Sequence, residues 1–260
     1  MTEPTVSKML IRAPGMAPTE MGEQDAHDRH TLINGWNQDA LKGAKLVFVG
    51  VGGLGGETLE KVARLGANHL VFCDFDTINL HNMHTQPFYL SQRFQNKAFG
   101  MLENLKKVCT APSLLEAYPM DLGSMIRDYP DAIKDANLIV CLVDNDETRR
   151  QASEYGLEHN IPVIFAAVSR TTLNGYVFIQ NGRACFNCIN SLKKNTKEEC
   201  REPSVIYIHT AIIGIVTYAV VSLLMNWNMS WNFYELFLDS ESRVLLREKR
   251  VDCEICKGVE

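Results

Sequence analysis

An α/β fold with a mostly parallel sheet follows from three features of this chain. From Trp36 to about Ala167, short apolar runs alternate with stretches of helical period, as expected of parallel strands covered by helices on both faces. The first clear run, Lys45-Leu-Val-Phe-Val49, leads straight into Gly50-Val-Gly-Gly-Leu-Gly-Gly56. Beyond about residue 175 the pattern alternates like antiparallel strands, and two C-x-x-C pairs bracket this last part of the chain. The expected architecture is therefore a mostly parallel sheet with an antiparallel C-terminal extension and a four-cysteine zinc knuckle.

Residues 1–26 contain Pro4, Pro14 and Pro18 among scattered acids and no apolar stretch of a secretion signal. They are expected to form a poorly ordered leader on a cytoplasmic protein. After Val49, Gly50 and Gly52 let the backbone turn tightly and approach a phosphate. Gly53 continues the run, and Gly55 lets a helix pack closely on the strand. That helix is expected over 57–65, with Leu59, Val62 and Leu65 near one side and Gly66 as its stop. The next apolar run, His69–Cys73, ends in Asp74, which can accept hydrogen bonds from ribose hydroxyls. This Rossmann-like unit binds a nucleotide, with the unpaired N–H groups of the helix offered to the anion.

Residues 91–108 carry Phe94, Ala98, Met101, Leu102, Leu105 and Val108 at helical spacing. Lys97 on that helix either reaches phosphate or faces solvent. Apolar runs follow at Leu138–Val143 and Ile161–Ala166, the second opening with Pro162, where a missing N–H does least harm. Asp144-Asn145-Asp146 closes the first of these at its carboxyl edge, where open α/β sheets put their ligands. Asp144 could hold Mg²⁺ through oxygen, and Arg149 follows on the next helix. Gly175–Gln180 alternates as an antiparallel strand before the Asn181-Gly182 turn. Residues 189–204 are polar and lysine-rich, a mobile loop. Residues 205–225 are long enough to cross a bilayer, but His209, Thr210, Thr217, Tyr218 and Ser222 interrupt them. A helix buried in the core or a subunit interface is favoured, with His209 a hydrogen-bonded residue of that core. Phe233–Leu238 and Arg243–Arg247 read as a hairpin.

The chain has 260 residues, 46% of them apolar, enough for one large domain. Its net charge of −5 offers no basic footprint for nucleic acid, and neither a nucleic-acid nor a membrane partner is expected. Cys185-Phe-Asn-Cys188 and Cys253-Glu-Ile-Cys256 have the spacing that presents two thiolates from one tight turn. Together they predict a structural zinc site that pins the C-terminal region back to residues 185–188. Cys73, Cys109 and Cys141 stand singly beside apolar neighbours and read as small buried hydrophobes.

Several of these residues, in this order, resemble the MoeB/ThiF family, bacterial relatives of the adenylating half of ubiquitin-activating enzymes. The matching positions are Gly50-x-Gly52-Gly53-Leu-Gly55, Asp74-Phe-Asp76-Thr-Ile-Asn-Leu-His-Asn82, Gln86, Lys97, Asp144-Asn145-x-x-x-Arg149 and the two cysteine pairs, with Asp28-Arg29-His30 upstream. The resemblance covers roughly 27–257 and implies a single adenylation domain over 27–260. It implies that the C-terminal carboxylate of a ubiquitin-like or sulfur-carrier protein attacks the α-phosphate of ATP and releases pyrophosphate. By the same match Asp74 holds the ribose, Asn82 and Lys97 contact phosphate, and Asp144 supports Mg²⁺ or the reacting carboxylate. Arg29 would enter the partner subunit's site, making the working unit a homodimer.

Cys200 resembles the cysteine that some members use for a thioester or persulfide, with a conjugating or sulfur-transfer protein downstream. One departure stands out: Thr85 occupies the place of an expected phosphate-binding arginine. Arg93 is the nearest candidate to replace that cation, then Arg170, with His84 behind them. The competing readings are adenylation of a short peptide and a nucleotide-binding scaffold without turnover. A nicotinamide dehydrogenase would leave Lys97, Asp144-Asn145 and both cysteine pairs unexplained.

Overall fold

The computed structural model describes residues 7–11, 26–109, 113–189 and 203–256. Its strands are β1 (Ser7–Ile11), β2 (Lys45–Val49), β3 (His69–Cys73), β4 (Ser113–Tyr118), β5 (Leu138–Cys141), β6 (Val163–Val168), β7 (Asn174–Gln180), β8 (Phe233–Phe237) and β9 (Arg243–Leu245). They form one sheet in the order β1-β4-β3-β2-β5-β6-β7-β8-β9. The central strands from β4 to β6 are parallel. Both flanks are antiparallel: β1 on β4 at one edge, and β6 through β9 at the other.

The helices are α1 (Gln38–Gly43), α2 (Gly53–Arg64), α3 (Lys97–Leu105), α4 (Leu122–Asp128), α5 (Pro130–Ile133), α6 (Asp146–Glu158), α7 (Phe186–Ile189) and α8 (Ile206–Leu224). Alternate residues of each parallel strand point to opposite faces, and both faces are apolar. Leu46, Phe48, Leu70, Phe72, Leu138 and Val140 face one core, shared with α2, α3 and α8. Val47, Val49, Val71, Ile139 and Cys141 face the other, shared with α4, α5 and α6. The apolar helix α8 packs against α2, β6 and β7, which is the buried placement its polar interruptions favoured.

Four expectations need correction. Ser7–Ile11, inside the expected disordered leader, is an edge strand paired antiparallel with β4 in register from Ser7↔Ala117 to Ile11↔Ser113. Helix α2 starts at Gly53 rather than near Glu57, because Gly56 N–H already bonds to Gly52 C=O at 2.9 Å. Gly66, at φ +96°, does end it. The helix expected over 91–108 is confined to α3. Residues Leu90–Gln92 form a 3-10 turn, Phe94 takes φ +74°, and Phe94 N–H and Ile78 N–H exchange bonds between 78 and 94–95, so residues 94–96 pair with the loop after β3. Asn96 then caps α3, its side-chain oxygen accepting from Ala98 N–H at 2.8 Å. The strands expected at 138–143 and 161–166 are Leu138–Cys141 and Val163–Val168, boundary shifts of the usual kind. Cys200 and most of the expected 189–204 loop lie outside the described residues.

Candidate nucleotide site and cysteine cluster

After β2 the chain moves to β3 and β4 on one side, then returns to β5 on the other, so the sheet reverses its winding between β2 and β5. Crevices at the carboxyl ends of such a pair are where open α/β sheets hold ligands. Gly50 turns the chain there at φ +84°. A Cβ on Gly50 would lie 2.8 Å from Val143 Cγ1, and one on Gly55 would collide with the Gly50 carbonyl oxygen. The helix is thus pressed onto the strand end at positions that admit no side chain. Gly52, the N-cap residue of α2, supplies no side-chain cap bond, and no acid lies in the first turn. The amino end of α2 keeps its N–H groups and its positive dipole end for a ligand.

Asp74, at the carboxyl tip of β3, folds back on this turn. Its carboxylate accepts from Val51 N–H and from Asp76 N–H, both at 2.9 Å. Burial pushes its pKa up, against the pull of the Lys97 ammonium and these two N–H groups. Lys97 is buried, 7% exposed, and its ammonium sits 2.7 Å from Asp76 Oδ2; the solvent-facing alternative is excluded. Asn96 holds this corner together, its amide donating to the carbonyls of Asp74 at 3.0 Å and Asp76 at 3.1 Å. Sequence reading passed over Asn96, although an asparagine preceding a helical run is a recognisable cap signal.

On the β5 side, Asp144 is exposed. Asn145 caps α6 through Thr148 N–H at 2.8 Å. Arg149 is buried, its guanidinium bonded to Val143 C=O at 2.7 Å and to Asp146 at 2.9 Å. Asn82 and Gln86 come from the segment between β3 and α3. Asn82 is buried and accepts from Asn79 N–H at 2.7 Å. The Gln86 amide lies 3.8 Å from where a Gly52 side chain would begin.

Of the cations expected to replace the missing arginine, Arg93 is exposed and stacked on Phe94, 4.5 Å from the ring centroid. Arg170 is exposed beyond β6. His84 is exposed, with Nδ1 at 2.6 Å from His81 C=O and Nε2 at 3.3 Å from Ser204 C=O. Arg29 is exposed in the 3-10 turn Asp28–Leu32. His209 is a buried, hydrogen-bonded residue of the core as expected, and it also reaches the glycine turn: its ring lies 2.6 Å from the position of a Gly53 Cβ, with the Thr85 carbonyl at 3.1 Å.

At the far edge of the molecule, Cys185, Cys188, Cys253 and Cys256 bring their sulfurs within 4.8 Å of one another. The closest pairs are 3.4, 3.5 and 3.7 Å apart. A tetrahedral zinc with four sulfurs at about 2.3 Å requires edges of about 3.8 Å, so the donor set fits that ion. Arg250 N–H and the Asn187 amide point at the Cys188 and Cys253 sulfurs, at 3.4 and 3.6 Å, as donors that favour thiolate. Cys73 and Cys141 are fully buried, and burial raises both thiols, Cys141 to about 12. They are packing residues, as their apolar neighbours indicated.

The ThiF family model matches residues 25–254. The molybdopterin-synthase adenylyltransferase of Escherichia coli is 24% identical over 206 residues, which cover 75% of this chain and 80% of that protein. An adenylyltransferase and sulfurtransferase of Kluyveromyces lactis is 26% identical over 259 residues, covering 92% of this chain and 57% of the longer relative. Among solved structures, E. coli MccB with AMPCPP and MccA superposes with a TM-score of 0.77 over 91% of this chain and 75% of that one, at 16% identity. That likeness establishes the shared fold.

Proposed function

The chain belongs to the ThiF family, and from that premise we propose that it adenylates the C-terminal glycine carboxylate of a ubiquitin-like or sulfur-carrier protein in the cytoplasm. The observation that carries this reading is the corner where Asp74, Asp76 and buried Lys97 meet the open amino end of α2. A carboxylate attacking the α-phosphate of ATP meets a polyanion. It needs in-line positioning and positive charge more than a base. The α2 N–H groups and the Lys97 ammonium supply that charge, with Lys97 exchanging Asp76 for phosphate as ATP enters.

Asp74 is already fixed by Val51 N–H and Asp76 N–H, and its free lone pairs are the acceptors for ribose. Asp144, exposed after β5, would offer carboxylate oxygen to Mg²⁺, which would neutralise the leaving pyrophosphate. Asn82 and Asn145 shape the two walls through the turns they cap, and Arg149 ties α6 to the end of β5. In a homodimer Arg29 would add a cation to the neighbouring site. Cys200 would attack the acyl adenylate and release AMP, as a thiolate forming a thioester or, once a sulfurtransferase has loaded it as a persulfide, forming an acyl disulfide, for delivery to a conjugating or sulfur-transfer protein.

The test is ATP–pyrophosphate exchange with a Gly-Gly-tailed carrier and with the same carrier lacking its last glycine. Exchange that requires the tail is expected. Absence of exchange with every tailed carrier, in protein that still binds ATP, leaves a scaffold instead. For the covalent step, a reducible adduct lost in Cys200→Ala is expected, and undiminished transfer in that variant removes it.

A further inference from the structure

Helix α2 begins with Gly52 as an N-cap that makes no side-chain bond, and two buried polar atoms beside its first turn also lack partners. One is His209 Nδ1; the other is Gln86 Oε1. His209 itself is 8% exposed, and it lies one turn into α8 among isoleucines that pack on the core. Its ring is held from behind, where Nε2 meets Ser204 Oγ at 3.2 Å. In front, Nδ1 and Cε1 lie 2.6 and 2.8 Å from where a Gly53 Cβ would stand. The tautomer in which the Ser204 hydroxyl donates to Nε2 puts the proton of the neutral ring on Nδ1, facing the start of α2. Burial, reinforced by His84, holds the imidazole below its ordinary 6.5, in the neutral form that this arrangement uses.

Buried polar atoms without partners are rare in native proteins and ask for an explanation. Here one of them, His209 Nδ1, faces an uncapped helix amino end, which favours an anion. We infer that His209 is a phosphate-binding residue of this protein, donating Nδ1–H to the polyphosphate of a nucleoside triphosphate at the first turn of α2, with the Gln86 amide beside it. The Gln86 NH2 already lies on that side, 3.8 Å from where a Gly52 side chain would begin. His209 thereby supplies a donor on the wall where Thr85 offers no cation. The inference rests on the nucleotide reading above and adds to it which side chain grips the phosphates.

Titration calorimetry of the full chain with ATP, inorganic pyrophosphate and adenosine tests this, using His209→Leu and His209→Asn, whose amide keeps an N–H near the Nδ1 position. His209→Leu is expected to weaken ATP and pyrophosphate about 10-fold or more, the usual range for a hydrogen bond to a charged group. Adenosine affinity should stay the same, and His209→Asn should recover part of the loss. Equal ATP affinity in a folded Leu variant overturns the inference, as does a uniform loss that includes adenosine. Should His209→Leu fail to fold, the ¹⁵N resonance of His209 Nδ1 in the unaltered protein decides. Movement on adding pyrophosphate supports the contact, and an unmoved signal with pyrophosphate bound overturns it. Unaltered protein that binds neither ATP nor pyrophosphate overturns the nucleotide reading itself, a distinct result.

Discussion

At the amino end of α2, a Cβ on Gly55 would run into the Gly50 carbonyl, and one on Gly56 would come within 2.8 Å of the Val51 carbonyl. At the cysteine cluster, by contrast, the side chains themselves are the site, four sulfurs within 4.8 Å. The first site is made by leaving side chains out, so that backbone N–H groups reach the ligand. The second is made by placing side chains where two distant turns meet. A site of the first kind is sensitive to added volume and indifferent to chemistry at the glycines. One of the second kind is sensitive to donor identity and to the ion that joins its halves.

The largest expected effect tests the second kind. Chelation of zinc, or Cys253→Ser, should lower the unfolding free energy by about 4 kcal/mol, the linkage expected for a ligand held near a thousandfold above its Kd. Urea unfolding of loaded and chelated protein measures it. The cluster packs on Leu157, toward the end of α6 away from Asn145, so ATP affinity should change little. Identical midpoints with and without metal would remove zinc from the account.

For the first kind, Gly55→Ala should cost about 3 kcal/mol, the upper range for overpacking against backbone that cannot move aside. Gly214→Ala, in α8 with nothing within 4 Å, should stabilise by about 0.5–1 kcal/mol through helix propensity. Comparable unfolding curves for the two variants would break the contrast. Lys97→Met then separates charge from shape: pyrophosphate exchange should fall about 10²-fold, the scale for losing one oriented charge at a reacting centre. An undiminished exchange rate in that variant would remove Lys97 from the chemistry.

Much of this was legible from short-range pattern. The parallel strands, the antiparallel turn of the chain after 175 and both cysteine pairs are each specified within a few residues, so spacing alone reveals them. The errors share a physical origin in contacts between remote segments. Glycine disfavours helix, which suggests a start near Glu57, yet close approach of Gly55 and Gly56 to Gly50 and Val51 carries α2 back to Gly53. Phe94 fits a helical period, but the hydrogen bonds between Ile78 and residues 94–95 take that stretch out of the helix. Ser7–Ile11 is too short a run to announce a strand by itself; it is one because β4 offers an edge. His209 is the core histidine expected of it, but nothing near it in sequence indicates that α8 also delivers it to a glycine turn more than 150 residues earlier.

Asp74 sharpens the contrast with the smallest change, because its carboxylate accepts a hydrogen bond from the glycine turn at Val51. Its folded pKa is raised above the ordinary 3.8 by burial, so between 3.8 and the folded value the native state binds more protons than the unfolded state. Stability from this group is then complete below pH 3.8 and is lost as pH rises through the folded pKa. Asp74→Asn abolishes that slope. It also sets an NH2 against one of the two N–H groups that the carboxylate now accepts from, a loss of about 1 kcal/mol. Urea unfolding across the acid range should therefore show the variant's deficit shrinking as pH rises above 3.8, because only the unaltered protein bears the growing cost of a buried charge. A deficit that widens with pH would mean that Lys97 and the two N–H groups outweigh burial. Asp74 would then be a stabilising anion in the empty site, rather than a carboxylate kept at some cost for its ligand.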